Sequence, residues 1–360
     1  MIKKIHIQNF KSIYDLELDV GRVNLFIGEN GSGKSNLLEA LVFVSAGESN
    51  KLDNEFLFSR GLRVPEPELM RSAFDDYYED ENIEISIVFK NNLKKEYSFF
   101  NRNMPYSMWE EDNYHWMSQE VLNPKLSEKI KKEYQLCLDT KLNNFLIYSP
   151  EYEVLRNFDN EGQIQPLGVK GEGLYKLLKV VNSYEDKSYI KTIIESLQLF
   201  NWFDDITIPD ELAFGEKKLI IKDKYLYTEI DQRSTNEGFL FILFYITLLV
   251  AKETPKAFAI DNVDSFLNPK LCTKLMILIT DLAKKYDKQV FLTTHNPAIL
   301  DGIDLNDEEQ KLFVVSRNKK GHTRMKEITA KDKPKSSNDE PLKLSEAFLR
   351  GYLGGLPKGF

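Results

Sequence analysis

The spacing of apolar residues along the chain predicts both strands and helices. Apolar and polar residues alternate at 2–8 and 83–89, as in strands with one buried face. Continuous apolar runs predict buried strands at 22–28, 256–261, 289–295 and 311–317. Shorter strands are predicted at 16–20, 95–100, 217–222 and 224–230. Because the buried strands alternate with helical segments, the pattern favours a mainly parallel α/β sheet.

The longest apolar run, residues 238–251, is apolar on every face. Its 14 residues are fewer than the roughly 20 that a membrane span needs, so it is interpreted as a helix buried in the core. Further helices are predicted at 35–46, 123–142, 172–184, 188–200 and 269–286. No heptad pattern continues for more than a few turns, which excludes a long coiled coil.

These elements predict three regions. Residues 1–50 and 205–330 are expected to form one split head, and residues 51–204 an insertion with an antiparallel β lobe and a short helical arm. A polar linker and an apolar tail follow at 331–360. The tail is a candidate contact surface for a partner protein through its large apolar residues Phe348, Leu349, Tyr352, Leu353 and Phe360.

Composition limits the class of protein. The net charge of −8 argues against a generally basic, DNA-coating surface, although a local basic strip is compatible with it. Two cysteines and four histidines provide neither a disulfide framework nor a zinc cluster. The amino terminus lacks the apolar core of a signal peptide. A soluble cytoplasmic protein without a membrane partner is therefore expected.

Residues 28–35, GENGSGKS, match the phosphate-binding pattern G-x-x-x-x-G-K-[ST]. A predicted strand precedes the loop and a predicted helix follows it, so its N–H groups can point at a β-phosphate. Lys34 is expected to reach the β- and γ-phosphates, and Ser35 to ligate Mg²⁺. The expected cofactors are ATP and Mg²⁺. The residues expected around the nucleotide are Gly28, Glu29, Asn30, Gly31, Ser32, Gly33, Lys34, Ser35 and Asn36.

Two further strand ends carry candidate chemistry. The segment AFAIDN ends its strand at Asp261, which would hold Mg²⁺ through water opposite Ser35. The segment FLTTHNPAILD ends another strand with His295, a candidate donor to the γ-phosphate or to the attacking water. A histidine that caps the turn before Pro297 is the alternative. Ligands of such sheets bind in the crevice at the carboxyl ends of the strands, where these residues lie.

Several segments resemble one family in the family's own order. The opening IQNFKSIYDLELDVGRVNLFIGENGSGKSNLLEAL resembles ABC-type ATPases of the SMC, RecF and OLD-like group, and above all the stand-alone AAA-family ATPases related to RecF. AIDNVDSFLNP resembles the Walker B and D-loop segment, TTHNPAILD the switch-histidine segment, and LRGYLGGLP the tail. The resemblance implies a P-loop NTPase with an ABC-type head, in which helices flank a mainly parallel sheet beside an antiparallel β lobe.

The resemblance also implies a homodimer that sandwiches two ATP molecules. TNEGFLFILFYITLLV resembles the signature region that caps the partner's γ-phosphate, through Asn236, Glu237 and Gly238. The family usually has serine where this chain has Asn236, and Ser234 is the nearby alternative. Lys11 and Ser12 occupy positions where family members often contact the nucleotide; plain strand–turn residues are the alternative.

A second departure from the family concerns the general base. Asn262 stands where the family places a catalytic glutamate, and an amide can orient a water but cannot accept its proton. Asp264 is a candidate substitute, with a capping or D-loop role as the alternative. The Q-loop residue is left open among Gln163, Gln165 and the pair Tyr148-Ser149.

The predicted function is that of a slowly hydrolysing, ATP-dependent switch. Since the chain has no recognisable nuclease motif, the switch would control a separate effector, a nuclease or toxin, plausibly in bacterial anti-phage defence. The alternative is a RecF-like DNA-binding clamp, which would need a basic strip and salt-sensitive DNA binding. A transporter subunit is disfavoured because the L-S-G-G-Q signature is missing.

Overall fold

The fold was obtained as a computed structural model. It describes residues 1–74, 81–104, 107–111, 142, 144–159, 162, 164–209, 217–334 and 342–355. Apart from Leu142, the helix predicted at 123–142 lies outside these residues, as do Gln163 and Phe360.

The strands and helices follow the predicted order. The strands are β1 (Ile2–Phe10), β2 (Ile13–Asp19), β3 (Val23–Gly28), β4 (Ile83–Phe89), β5 (Lys94–Phe100), β6 (Glu110–Glu111), β7 (Ile147–Tyr148), β8 (Phe203–Thr207), β9 (Ile220–Asp223), β10 (Ile230–Asp231), β11 (Ala257–Ile260), β12 (Gln289–Thr294), β13 (Gln310–Arg317) and β14 (Thr323–Ile328). The helices are α1 (Lys34–Glu48), α2 (Asn54–Ser59), α3 (Pro67–Met70), α4 (Tyr152–Arg156), α5 (Leu174–Ser183), α6 (Ser188–Leu197), α7 (Glu237–Val250), α8 (Pro269–Lys285) and α9 (Leu344–Leu349). Short 3₁₀ helices span Pro297–Gly302 and Ala330–Asp332.

The central sheet has the strand order β14-β13-β3-β12-β11-β7, and all its neighbours are parallel except the β13–β14 pair. Alternate residues of β3 bury into two different layers. Leu25 and Ile27 pack with α7, whereas Phe26 packs with α1. Because both faces are covered, the strands read as continuous apolar runs.

Helix α7 forms the middle of one layer. From Gly238 to Val250 every residue is buried, which explains why the helix is apolar on all faces. Among the described residues, no helix is both long enough and apolar enough to cross a membrane.

The antiparallel lobe is a five-stranded sheet with the order β2-β1-β4-β5-β6. It takes β1 and β2 from the segment 1–50, and the central sheet takes its edge strand β7 from the segment 51–204. The limits predicted at residues 50 and 205 therefore do not follow the sheets. Strand pairing across the chain, which local patterns do not reveal, decides where each strand belongs.

A third sheet joins β8, β9 and β10. The strand predicted at 224–230 is wrong, because only Ile230 and Asp231 are extended there. Asp223 turns the chain: its carboxylate accepts the N–H of Tyr225 at 2.8 Å, and this Asx turn ends β9. The side chains of Tyr225 and Tyr227 are consequently exposed.

The apolar tail packs on its own chain. Phe348 and Leu353 are buried in the main core, and Asp301 accepts hydrogen bonds from the backbone and the hydroxyl of Ser345. The prediction that Phe348 and Leu353 present a contact surface is therefore wrong. Leu349 and Tyr352 are exposed, with 64% and 59% of their surface accessible.

Candidate active site

The phosphate loop connects β3 to α1 and has room for glycine only. Gly31 and Gly33 have φ angles of 74° and 105°, which favour glycine. A Cβ at Gly28 would lie 2.1 Å from the carbonyl oxygen of Val315, and one at Gly33 would lie 2.1 Å from the hydroxyl of Thr323. No side chain caps the N-terminus of α1, so its first amides are available for an anion.

The β13–β14 hairpin holds the loop in this shape. The hydroxyl of Thr323 donates to the carbonyl of Ser32 at 2.9 Å, and Nε of Arg317 donates to the carbonyl of Gly31 at 2.8 Å. Both residues lie almost 290 positions away in the chain, outside any phosphate-binding motif. Sequence reasoning missed them, and no local signal in the sequence identifies them.

Lys34 lies buried beneath the loop. Its ammonium donates to the carbonyls of Gly28 at 2.9 Å and Glu29 at 3.0 Å. Burial lowers the pKa of Lys34 to about 8, although Asp261, Asp264 and Glu29 oppose the shift. In the described part of the chain, no carboxylate forms an ion pair with it, so a phosphate would supply the missing counter-charge.

Two more features of the loop fit a polyphosphate. The hydroxyl of Ser32 is buried and has no hydrogen-bond partner within the described residues, and such groups need a partner. Asn30 and Gly31 are exposed at the rim of the loop, and Glu29 is half-buried. The buried ammonium, the spare hydroxyl and the open helix terminus together suit a nucleotide triphosphate.

Asp261 and Ser35 meet at the same edge of the sheet. The Ser35 hydroxyl lies 3.3 Å from each carboxylate oxygen of Asp261. Asp261 follows β11, and its carboxylate also accepts a hydrogen bond from Thr293. A hydroxyl and a carboxylate are suitable oxygen ligands for a hydrated Mg²⁺, so the predicted pair fits this ion.

His295 follows β12 directly and is exposed. Partial burial and the charge of Lys34 lower the pKa of the imidazole, whereas Asp264, Asp261 and the backbone of Gly28 oppose the shift. The imidazole is therefore neutral at pH 7 and close enough to sense Lys34. This placement agrees with a hydrogen-bonding role beside a phosphate.

Asn262 adopts the left-handed conformation, with φ of 54°. Asparagine is one of the few residues other than glycine that tolerates it. Its backbone N–H donates to the hydroxyl of Thr293 at 2.9 Å. Asp264 is anchored separately, since its carboxylate accepts the hydroxyl of Thr294 at 2.6 Å.

Lys11 and Ser12 lie beside the loop but bind protein groups. The ammonium of Lys11 donates to the buried carboxylate of Glu39 at 2.7 Å and to the carbonyl of Arg63 at 2.8 Å. The hydroxyl of Ser12 accepts a hydrogen bond from the Asn36 amide at 2.6 Å. Ser12 also lies 2.7 Å from the hydroxyl of Thr323. Both residues border an open cleft of about 570 Å³ that adjoins Asn36.

The predicted signature residues begin α7. The Asn236 side chain accepts the N–H of Phe239 at 2.9 Å and so caps the helix. Ser234 donates to Asp231 at 3.3 Å, while Glu237 is half-buried and Gly238 buried. Among the described residues, none of the four is hydrogen-bonded to the phosphate loop, and contact with a partner's nucleotide stays a prediction.

The candidate Q-loop residues are placed differently. The Tyr148 ring is buried against Phe244 and Phe258, but its carbonyl accepts the N–H of Asp261 at 2.9 Å. Ser149 follows at the same sheet edge and is exposed. Gln165 lies on a separate loop, where its side chain is hydrogen-bonded to neighbours on that loop and to Lys176.

Comparison with protein families decides the relationship. A family model described as an AAA domain matches residues 4–237, more than half of the chain. The chain belongs to the AAA domain family. A second AAA-domain model, whose description refers to AbiEii toxins and type IV toxin–antitoxin systems, matches residues 234–301 of this AAA protein.

Relatives of this AAA protein match over shorter stretches. The uncharacterized protein MJECL10 of Methanocaldococcus jannaschii is 34% identical over 127 residues, which cover 31% of this chain and 56% of that protein. The DNA replication and repair protein RecF of Clostridium botulinum is 34% identical over 55 residues, 15% of each chain. RecF of Lactococcus lactis is 36% identical over 55 residues, again 15% of each. The chain thus spans about half the length of MJECL10 and far less of RecF.

Solved structures confirm the predicted fold class. An Smc head bound to the C-terminal winged-helix domain of ScpA aligns with a TM-score of 0.59 at 14% identity, covering 92% of this chain and 98% of that one. The Pyrococcus furiosus Smc head bound to the C-terminal domain of ScpA aligns with a TM-score of 0.56 at 11% identity, covering 92% and 96%. The AAA protein has the fold of an SMC head, and its resemblance to the SMC and RecF group is confirmed.

Proposed function

We propose that this AAA protein is a slow ATPase that works as a switch. Mg·ATP binds at the phosphate loop, closes two copies into a dimer and is hydrolysed slowly. The observation that carries this proposal is the meeting of Lys34, Ser35 and Asp261 at one sheet edge. A buried ammonium without a carboxylate partner and a hydroxyl–carboxylate pair match the two parts of the ligand, phosphate and metal.

Slow turnover is inferred from Asn262. In the family resemblance this position carries the general base, and a carboxamide cannot accept the proton of the attacking water. Asp264 is the nearest carboxylate that can take over this role, and Thr294 holds one of its oxygens. The bound water would therefore be oriented without being efficiently deprotonated, and the closed state would be long-lived.

The control of a separate effector is the finer part of the proposal. The Smc heads of similar fold are bound to domains of another protein, ScpA, and one matching family model refers to toxins. An exposed pair, Leu349 and Tyr352, offers this chain an apolar contact for such a partner. A role in anti-phage defence, with a nuclease or toxin as effector, extends this idea.

Light scattering with and without Mg·ATP, combined with phosphate release from the same sample, tests the switch. We expect a stable dimer only with Mg·ATP, and little phosphate release over its lifetime. Lys34→Ala, which removes the buried ammonium, should stay monomeric. A monomer under all conditions, or rapid release from short-lived dimers, would contradict the proposal.

One observation favours the RecF-like DNA clamp as a second candidate. Residues 311–333 carry eight Lys and Arg against two Asp and Glu, a net charge of +6 in a chain of net charge −8. Strands β13 and β14 form the hairpin of this segment, and its exposed cations include Lys319, Lys320 and Arg324. This is the local basic strip that a DNA-binding clamp requires.

Fluorescence anisotropy with labelled duplex DNA at several salt concentrations tests the clamp. Binding should weaken as salt rises, and the triple change of Lys319, Lys320 and Arg324 to Gln should reduce the salt dependence. The same changes at Lys187, Lys191 and Lys252, on another face, serve as the control. Absence of DNA binding with and without Mg·ATP would exclude this candidate.

A further inference from the structure

Two adjacent threonines end β12 between the phosphate loop and the Asp261 turn. Thr293 pairs with Phe26 of β3, and Thr294 pairs with Ile27. Both are fully buried. Successive side chains of a strand point to opposite faces, and the two hydroxyls accordingly reach two different carboxylates.

Thr293 organises the turn after β11 through three hydrogen bonds. Its hydroxyl donates to the carboxylate of Asp261 and accepts the N–H of Asn262 at 2.9 Å. Its carbonyl accepts the N–H of Val263 at 3.0 Å. Thr293 thereby fixes both the Asp261 carboxylate and the peptide that leads into the left-handed residue Asn262.

Thr294 spans His295 in a similar way. Its hydroxyl donates to Asp264 at 2.6 Å and accepts the N–H of Asn296 at 3.0 Å. One hydroxyl therefore ties a carboxylate to the segment on either side of the histidine. The charge of Asp264 raises the pKa values of Lys34 and His295, so this carboxylate faces the nucleotide side of the sheet.

We propose that Thr293 and Thr294 are positioning residues with separate tasks. Thr293 orients Asp261 toward the Mg²⁺ position beside Ser35, and Thr294 orients Asp264 and His295 for the hydrolytic step. Partners that orient a metal ligand affect metal affinity although they do not touch the metal. The assignment rests on the proposed binding of Mg·ATP and goes beyond it by dividing binding from turnover between two neighbouring residues.

The first test measures the binding of a fluorescent ATP analogue in Mg²⁺ and in EDTA. Thr293→Val keeps the shape of the side chain but removes the hydroxyl. We expect it to lose about tenfold of the Mg²⁺-dependent affinity while binding in EDTA is unchanged. Thr293→Ser should restore the Mg²⁺ effect. An equal loss in both buffers would show a general structural defect and overturn the assignment, as would an unchanged Mg²⁺ effect.

The second test separates the neighbouring residue. Thr294→Val should bind Mg·ATP like the wild type but release phosphate about tenfold more slowly, with rescue by Thr294→Ser. Thr247→Val is the matched control, because Thr247 is also fully buried and its hydroxyl bonds a helix carbonyl, that of Leu243. If Thr294→Val hydrolyses ATP at the wild-type rate, or weakens Mg·ATP binding as Thr293→Val does, the division of tasks is wrong.

Failure of this inference is distinguishable from failure of the proposed function. A wild-type protein that binds no nucleotide would refute the function itself. A wild type that binds Mg·ATP, with Thr293→Val behaving identically, would refute only the positioning role. Should Thr293→Val not fold, Thr293→Cys gives the same comparison, because a thiol is a much weaker donor.

Discussion

Replacing Asn262 by Glu introduces two opposing effects that can be measured separately. The substitution places a carboxylate where the resembling family has its general base. It also puts a residue other than asparagine at a φ of 54°. We therefore expect faster hydrolysis in a less stable protein.

The magnitudes follow from these two causes. A left-handed conformation costs a residue other than Gly, Asn or Asp roughly 1–2 kcal/mol, and we expect a loss of about 1 kcal/mol in the free energy of unfolding. A general base typically contributes at least about a hundredfold in rate, which corresponds to roughly 2.7 kcal/mol of barrier. The rate gain should be clear although the protein is less stable.

Phosphate release at saturating Mg·ATP and urea unfolding of the same preparations provide the assay. Asn262→Gln is the matched control, because it has the same length and the same backbone cost but cannot accept a proton. Equal rates for the Glu and Gln variants would refute the reasoning. If Asp264→Asn then abolished the remaining activity of the wild type, Asp264 would be the base.

Three further predictions concern the loop, a titrating carboxylate and the tail. Gly33→Ala should weaken ATP binding by at least about tenfold in a nucleotide titration, because its Cβ would meet a hydroxyl at 2.1 Å; Gly31→Ala, with open space around its Cβ, should bind more tightly than Gly33→Ala. Burial and a neighbouring carboxylate raise the pKa of Glu111 to about 7, so folding stability should fall as pH rises from about 4.5 to 7. Glu111→Gln should be more stable than the wild type in urea unfolding at pH 8, by on the order of 2 kcal/mol, and the difference should vanish near pH 4.5. Phe348→Ala should lower the free energy of unfolding by about 3–5 kcal/mol, whereas Leu349→Ala should change it by less than about 0.5 kcal/mol.

The strand ends of the site could be predicted from local patterns. Asp261 and His295 follow apolar runs, and parallel strands bring their carboxyl ends to one edge of the sheet. The loop at 28–35 has a spacing that depends on positive φ and close backbone contact, and both are present at Gly33. These features are short-range, and a single sequence contains them.

The supports of the site could not be predicted in the same way. Thr323 and Arg317 contact the loop from β13 and β14, and Thr293 reaches Asp261 from a neighbouring strand. Such contacts depend on strand order and register, which the local pattern does not contain. The tail was misjudged for a related reason: its apolar residues indicate burial, but not whether Phe348 packs on its own chain or on another.

Calorimetric titration with ATP in the presence of Mg²⁺, on the wild type and on Lys34→Ala, tests the central claim most directly. The structure predicts one ATP per chain for the wild type, with weaker binding when EDTA removes the metal, and no measurable binding for Lys34→Ala. Equal binding by the two proteins would show that the loop beneath which Lys34 lies is not the nucleotide site.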